Sequence, residues 1–314
     1  MSEKNLISVI DEDIPSFCFF PGENDGRYPN SHSLVIKTSE KNNEAILFDS
    51  GTGHALIKKL LQNFKITKVV LSHWHEDHVS GNYLLKQQQQ SEFFCHSLDA
   101  EVLNDVSKFQ VLYGTVGTPV ADYFQQVLTS LNLDNLSSIQ ELEDNRDIEI
   151  DETLRIKTLH TPGHSAGHCC FLEPENRVIF LADIDLSGLG PWYGCLDSNV
   201  DDFDESLQRL MEMDFEYAIS SHKGIFKGKT EIRNQIKDYH AIIVERDEKI
   251  LEELSEGKPK TLEDLIGKRI IYKQYNNPWK NYLLIAENLM ISKHITRLTK
   301  KEKISKQGEK LILL

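Results

Sequence analysis

The sequence predicts an α/β chain in which helices cover β-sheets, followed by a mostly helical C-terminal module. Three observations carry this expectation. Over residues 31–86, β-branched runs of strand length alternate with turn signals and stretches of helical period. Histidine and aspartate residues gather just beyond the carboxyl ends of such runs. After about residue 229 the texture changes to long helical stretches.

Ser33-Leu34-Val35-Ile36 and Ala45-Ile46-Leu47-Phe48 read as strands, the second closing on Asp49-Ser50-Gly51-Thr52-Gly53. His54 to Lys65 follows as an amphipathic helix, because Leu56, Ile57, Leu60, Leu61 and Phe64 recur at helical spacing. Ile66 to Leu71 reads as a strand and Asn82 to Lys86 as a helix. Residues 100–145 have helical periodicity broken at Tyr113-Gly114-Thr115-Val116-Gly117-Thr118-Pro119, and read either as a lid or pocket wall or as a peripheral helical pair. Three further strands run into candidate ligands: Arg155 to His160, Arg177 to Ala182 and Tyr217 to Ser221. Cys169-Cys170-Phe171-Leu172 reads as a buried strand.

In the tail, Ile232 to Leu254 and Asn281 to Leu298 read as helices. Between them Thr261, followed by Glu263 and Asp264, has the pattern of an N-cap with an acidic first turn. Lys303 to Leu314 closes the chain as a hairpin or strand, so the tail has the order of a winged-helix arrangement. A boundary at 228/229 divides an α/β domain, residues 1–228, from a helical module, residues 229–314.

With 314 residues, 39% of them hydrophobic, the chain suffices for one large core or a core with an appendage. No window approaches the roughly 18 apolar residues that a bilayer span needs. The first residues, Met1-Ser2-Glu3-Lys4-Asn5-Leu6, carry no basic stretch followed by an apolar one. No membrane role is expected, and the cytoplasm is the expected location. The five cysteines are odd in number and lack C-x-x-C spacing, which speaks against a disulfide framework and a zinc ribbon. The formal charge of −14 is unevenly spread, about −18 over residues 1–230 and about +4 over 231–314. Such an acidic body disfavours a polyanion unless metals and the basic tail compensate.

The most informative window is His73-Trp74-His75-Glu76-Asp77-His78. His-x-His places two imidazoles on one side of an extended or turning backbone. Asp77 and His78 begin the next turn and point elsewhere, so one loop can serve two neighbouring ions. Imidazole with few carboxylates suits Zn²⁺ best, with Fe or Mn possible. A site for two metals needs further ligands, and the chain has them at strand ends: Thr161-Pro162-Gly163-His164-Ser165-Ala166-Gly167-His168, Asp183 after an apolar run, and His222 after Ser221.

These motifs, in this order over residues 31–224, resemble the metallo-β-lactamase superfamily. The resemblance implies a four-layer αββα sandwich with two Zn²⁺ in a cleft at one edge of its two sheets. Carried over residue by residue, it gives His73, His75 and His164 to one metal, Asp77, His78 and His222 to the other, and Asp183 as the bridge. Asp49 matches the family's acid that orients a ligand histidine, and His168 and His160, flanking His164, take supporting roles. The resemblance further implies hydrolysis by a metal-bridging hydroxide. Asp77 would be the catalytic carboxylate that orients it and passes a proton to the leaving group.

The ligand set, with Asp183 present, is similar to that of glyoxalase II-like thioesterases, lactonases and nucleases, so a small ester, thioester or lactone is the expected substrate. More weakly, residues 229–314 resemble the winged-helix-like extension of the human lactamase-like protein 2 type, a branch associated with single-stranded RNA cleavage. Lys293, Arg297, Lys300, Lys301, Lys303 and Lys306 are the residues that would track phosphates. The alternative for them is a solvated basic tail or a homodimer contact. A single iron with persulfide dioxygenase-like chemistry is a further alternative that ligand identity leaves open. Trp192 and Tyr193, in the glycine-rich loop after Asp183, are candidates for the substrate wall.

Overall fold

A computed structural model of the chain describes residues 6–39, 42–88, 91–150, 154–255, 257–275 and 279–314. The first sheet takes its strands in chain order: β1 (Ser8–Val9), β2 (Phe17–Phe20), β3 (Ser33–Ser39), β4 (Glu44–Phe48), β5 (Lys65–Val70), β6 (Glu92–His96) and β7 (Ile139–Leu142). It opens as an antiparallel meander through β4 and continues in parallel from β4 to β7. The second sheet has the order β13-β12-β11-β10-β9-β8, built from β8 (Asp147–Glu149), β9 (Arg155–His160), β10 (Cys169–Glu173), β11 (Val178–Ala182), β12 (Tyr217–Ser220) and β13 (Gly224–Lys227).

Period-two alternation fixes both faces of each sheet. Leu34, Ile36, Ile46 and Phe48 point between the sheets and meet Phe171, Phe180 and Ile219 in one buried cluster. The Phe48 ring lies 5.3 Å from that of Phe171. The residues between them, Val35, Ala45 and Leu47, face outward onto α1 (His54–Asn63), where Ile57 and Leu60 are buried. The same layer holds the short α2 (Glu76–Val79), α3 (Asn82–Gln87), α4 (Ser97–Leu103), α5 (Lys108–Leu112) and α6 (Ala121–Ser130). Residues 100–145 are thus helical only as far as Ser130, and their last stretch adds β7 in parallel to β6.

On the far side, Cys170, Ile179, Leu181 and Ala218 of the second sheet face α7 (Val200–Met211), α8 (Lys229–Leu254) and α10 (Lys280–Lys300). The result is four layers, α/β/β/α. Between α8 and α10 lies α9 (Leu262–Leu265), where Thr261 and Asp264 form a reciprocal capping box. The chain ends in an antiparallel hairpin, β14 (Ile304–Gln307) and β15 (Lys310–Leu313). This order of helix, short helix, helix and hairpin is the one the tail sequence suggests.

The expected boundary at 228/229 falls between β13 and α8. One hydrophobic cluster runs across it: Ile236 and Ile243 of α8 and Met290 and Ile295 of α10 share it with Phe203 and Leu207 of α7. A charged node reinforces the seam, because the buried Arg297 guanidinium donates to Asp201 and Asp204 of α7 and to Asp247 of α8. Burial alone would raise the Asp204 carboxyl, but bonds from His240, Gln208 and Arg297 outweigh it and hold it at about 2 against an ordinary 3.8. A depressed carboxylate contributes stability that is present above its unfolded value and lost as pH falls through its folded value. Asp204→Asn is therefore expected to cost about 1–2 kcal/mol near neutral pH, the solvent that reaches this node screening part of the effect. The difference from wild type should close as pH falls from about 4 to about 2. Urea unfolding at several pH values measures this. A difference that stays constant with pH would show that the carboxylate's charge is not what matters.

Candidate metal centre

Strand direction assembles the site. β4 and β5 run in parallel, and so do β9, β11 and β12, because β9 and β11 both oppose β10. All five therefore deliver their carboxyl ends to one edge of the sandwich. Asp49 follows β4, the His73–His78 loop follows β5, His164 follows β9, Asp183 follows β11 and His222 follows β12. Gly51 lets the loop after β4 lie against that after β5: a Cβ there would sit 1.5 Å from the Asp77 carbonyl oxygen.

Two donor sets result, one of His73, His75, His164 and Asp183, the other of Asp77, His78 and His222, each with its ligand atoms within 4.8 Å of one another. In the first set, His75 Nδ1 lies 3.0 Å from His73 Nε2 and 2.8 Å from His164 Nε2. Asp183 joins the two sets. Its Oδ2 lies 3.1 Å from His164 Nε2, while its Oδ1 lies 2.9 Å from His78 Nε2 and 3.2 Å from His222 Nε2. Asp77 Oδ2 is 3.5 Å from His222 Nε2.

The outer hydrogen bonds of the histidines fix which nitrogen faces inward. His164 Nδ1 meets the Trp192 carbonyl at 2.9 Å and His222 Nδ1 meets the Gly26 carbonyl at 2.6 Å; a carbonyl only accepts, so the proton sits on Nδ1 and the Nε2 lone pair points into the site. His78 Nδ1 lies 2.7 Å from Asp49 Oδ2, and the same carboxylate accepts from the Ser72 amide and hydroxyl. His73 Nδ1 pairs with the Ser72 hydroxyl at 2.8 Å, and His75 Nε2 faces Cys195 Sγ at 3.4 Å. His168 is fully buried, 3.3 Å from the Asp183 amide through Nε2, and so braces the strand end that carries Asp183. His160 stacks on His96 at 4.0 Å, away from the donor sets.

Lone pairs converging at such distances repel unless a cation lies among them. Tetrahedral ligands 2.0–2.1 Å from zinc are themselves roughly 3.3 Å apart, close to the spacing seen here. His78 Nε2 and Asp183 Oδ1, both buried, lie 2.9 Å apart and neither has a hydrogen-bond partner of good geometry. The residues thus fit a pair of divalent ions. Burial and the crowding of other imidazoles push His73 and His75 well below the ordinary histidine range. For His222, burial lowers and Asp183 and Asp77 raise, with the carboxylates prevailing at about 9.

Sequence pattern alone does not point to a clamp that ties the two main ligand loops together. Asp99, three residues beyond β6 and fully buried, accepts from the Trp74 amide through Oδ2 at 3.1 Å, from the Ser165 hydroxyl at 2.7 Å, and from the Gly167 amide through Oδ1 at 2.7 Å. One carboxylate thereby spans the His73–His78 and Thr161–His168 loops. Asp99→Ala is expected to weaken metal binding by about 10- to 100-fold, the usual cost of losing a group that orients ligands. Competition with a chromogenic chelator measures it. Unchanged affinity would show that the Asp99 clamp does not act on metal binding.

A cleft of 490 Å³ opens over the donor sets, with Arg27 at its rim and Trp192 in its wall. Tyr193 does not reach it. Its ring is fully buried, and its hydroxyl lies 2.6 Å from His294 Nε2 and 2.8 Å from Arg246 Nη1. Neighbours in an irregular loop face opposite ways, and the Tyr193 side faces the core. Arg246 also donates to the carbonyls of Leu189 and Pro191, so α8 grips the loop whose Trp192 carbonyl holds His164. The tail also supplies Tyr272, Trp279 and Tyr282 to the cleft wall. Of the six basic residues expected to track phosphates, Arg297 is spent on three aspartates and Lys293 donates to the Cys195 carbonyl. A larger hollow of 600 Å³ beside α5 and α6 has no histidine or cysteine in its lining.

The family model of the metallo-beta-lactamase superfamily matches residues 27–222, and the chain belongs to that superfamily. Membership makes it a metal-dependent hydrolase by class; which bond it cuts is a separate question. An uncharacterized protein of Aquifex aeolicus is 29% identical over 167 residues, covering 52% of this chain and 71% of the relative. An atrochrysone carboxyl ACP thioesterase of Aspergillus fumigatus is 26% identical over 176 residues, 54% of this chain and 43% of its own length. A hydroxyacylglutathione hydrolase of Pelagibacter ubique is 25% identical over 155 residues, 49% and 51% of the two chains. The chain thus spans about half the length of the named enzymes it matches. Among solved structures, a beta-lactamase domain protein from Burkholderia ambifaria superposes with a TM-score of 0.72 at 15% identity, over 98% of this chain and 93% of its own. A metallo-beta-lactamase family protein from Thermus thermophilus gives 0.67 at 18%, over 98% and 97%. Both likenesses are of fold, and both extend through the C-terminal region.

Proposed function

We propose that the chain hydrolyses a small ester, thioester or lactone at a site for two divalent ions, zinc being the best match to the donors. The observation that carries this is Asp183, whose two oxygens face separate donor sets 3.1 Å and 2.9 Å away. A single-iron, dioxygenase-like centre would need only one of those sets. Bound there, two cations would supply Lewis acidity toward a carbonyl oxygen and an activated water at neutral pH.

The protein's own groups do the rest. Asp77, 6% exposed at the floor of the cleft, is placed to accept the proton of the attacking water and to return it to the departing alcohol or thiol. Asp49 keeps His78 in one tautomer, and the Trp192 carbonyl does so for His164. The named thioesterase and hydroxyacylglutathione hydrolase among the relatives support an acyl substrate.

The alternative, cleavage of single-stranded RNA gripped by the C-terminal module, has a supporting likeness. It is to a ribonuclease Z of Pediococcus pentosaceus, 36% identical over 58 residues, 18% of this chain. Arg27 is the one arginine or lysine among the cleft residues, too little for a phosphate backbone. Five free, buried cysteines suit a reducing compartment such as the cytoplasm. Among the described residues no helix is long and apolar enough to cross a membrane.

The test is a panel of esters, thioesters, lactones and single-stranded RNA, run with metal-depleted and zinc-reloaded protein alongside elemental analysis. Zinc-dependent turnover of an acyl substrate at two ions per chain is expected. Turnover of RNA alone, or activity carried by a single iron, would replace the proposal with its rival.

A further inference from the structure

Among the described residues, the wall of the cleft carries six aromatic side chains, Tyr28, Tyr113, Trp192, Tyr272, Trp279 and Tyr282, with Leu189 and Leu283 beside them. They begin at the metal ligands themselves. The Tyr113 ring stacks on that of His75 at 5.3 Å, and Trp192 meets His75 edge-on at 5.6 Å. Further out, Tyr28 and Trp279 pack edge to face at 5.2 Å.

Several of the polar ends of this cage are spent within the protein. The Tyr28 and Tyr113 hydroxyls donate to the two oxygens of one buried carboxylate, Glu76, at 2.7 Å and 2.6 Å. The Trp192 indole N–H donates to the Tyr272 hydroxyl at 2.8 Å. Glu76 is thus a positioning residue that turns two phenols away from the ligand and leaves ring faces and edges lining the space. A wall of this kind makes little hydrogen-bonding demand and rewards a flat π-surface, which can stack on or meet rings edge-on. An aromatic cage also suits a quaternary ammonium group, but Glu76, the carboxylate bonded to two of these rings, is occupied by their hydroxyls, Asp77 and Asp183 belong to the donor sets, and the lining carries the positive Arg27.

Resting on the hydrolase reading, we infer that the substrate carries an aromatic or flat conjugated ring within a few bonds of the scissile carbonyl. In the reaction water adds to the carbonyl carbon, the C–O or C–S bond breaks, and the leaving alcohol or thiol takes a proton as an aryl-bearing acid forms.

The experiment uses the zinc-loaded full-length chain and reads both binding and turnover. Trp192 and Trp279 are two of the three tryptophans, so intrinsic fluorescence reports occupancy of the cleft. Titrations with 2-naphthoate, hexanoate and tetramethylammonium compare a flat acid, an aliphatic acid and a cation; the two acids offer the metals the same carboxylate. Binding of 2-naphthoate about tenfold tighter than hexanoate is expected, with most of that margin lost in Trp279→Ala and in Tyr282→Leu. In parallel, naphthoyl and hexanoyl thioesters of one thiol should differ about tenfold in kcat/KM, mainly through KM. Equal affinities for the two acids, or tighter binding of tetramethylammonium, overturn the inference. Turnover without an aryl preference also overturns it, and leaves the hydrolase reading intact. Tight 2-naphthoate binding without turnover of any ester does the reverse.

Discussion

Asp183→Ala is expected to leave a folded protein that binds at most one metal ion tightly and has lost on the order of 10³-fold or more in kcat/KM. Its carboxylate faces both donor sets, through Oδ2 toward His164 and through Oδ1 toward His78 and His222. Removing any one histidine subtracts a donor from one set, whereas removing Asp183 subtracts from both and would leave any pair of cations held there without this shared carboxylate. Lewis acidity and water activation contribute several kcal/mol of barrier lowering, which sets the scale of the loss. Elemental analysis with steady-state kinetics on whichever acyl substrate turns over measures both effects. Two ions per chain and a rate within tenfold of wild type would sink the bridging role.

Ending the chain after Gly228 is expected to abolish folding, not merely to trim a function. α8 and α10 cover Phe203, Leu207 and Leu210 of α7 and stand beside Leu181 and Ile184 at the end of β11, all buried in the shared cluster. Re-exposing large apolar side chains costs about 1.5–3 kcal/mol each when complete. Five at even partial exposure approach the whole stability of a domain, about 5–15 kcal/mol. The cut also removes Arg246 from the loop that holds His164. Far-UV circular dichroism and thermal unfolding of residues 1–228 decide the matter. A soluble fragment with a cooperative transition near that of the full chain would contradict the shared core. For the same reason a role for the tail in gripping RNA is better probed by charge reversal at the surface residues Lys301, Lys303 and Lys306 than by deletion.

The loops that carry the two donor sets were legible because each motif is contiguous and sits at a strand end, so period-two runs and a few polar residues locate it without knowledge of the fold. The cage was not legible. Tyr28, Tyr113, Tyr272 and Tyr282 come from distant stretches of chain whose meeting depends on how the fourth layer packs. Glu76 lay inside the most telling window yet carried no local sign that two tyrosines would bond it. Trp192 and Tyr193 illustrate a similar limit: composition shows an aromatic loop, but only packing decides which ring turns inward. Arg297 misled in the opposite direction, since a basic run looks solvated until three aspartates from other helices are brought to it. The charge contrast at the 228/229 seam was real, but charge describes a surface and the hydrophobic cluster beneath it is continuous.

The hydrogen bond from His164 to the Trp192 carbonyl joins two properties that enzymes often keep apart. The residue that lines the cleft with its indole holds His164, a member of the first donor set, with its backbone. Insertions or deletions in this loop, a common route by which related enzymes acquire new preferences, would here disturb metal loading at the same time. Drift toward new substrates is therefore channelled elsewhere, to side-chain exchanges at Tyr28, Trp279 and Tyr282, which line the cleft without holding a ligand. In a lineage of such proteins those three positions should vary while the length from Asp183 to Cys195 stays fixed.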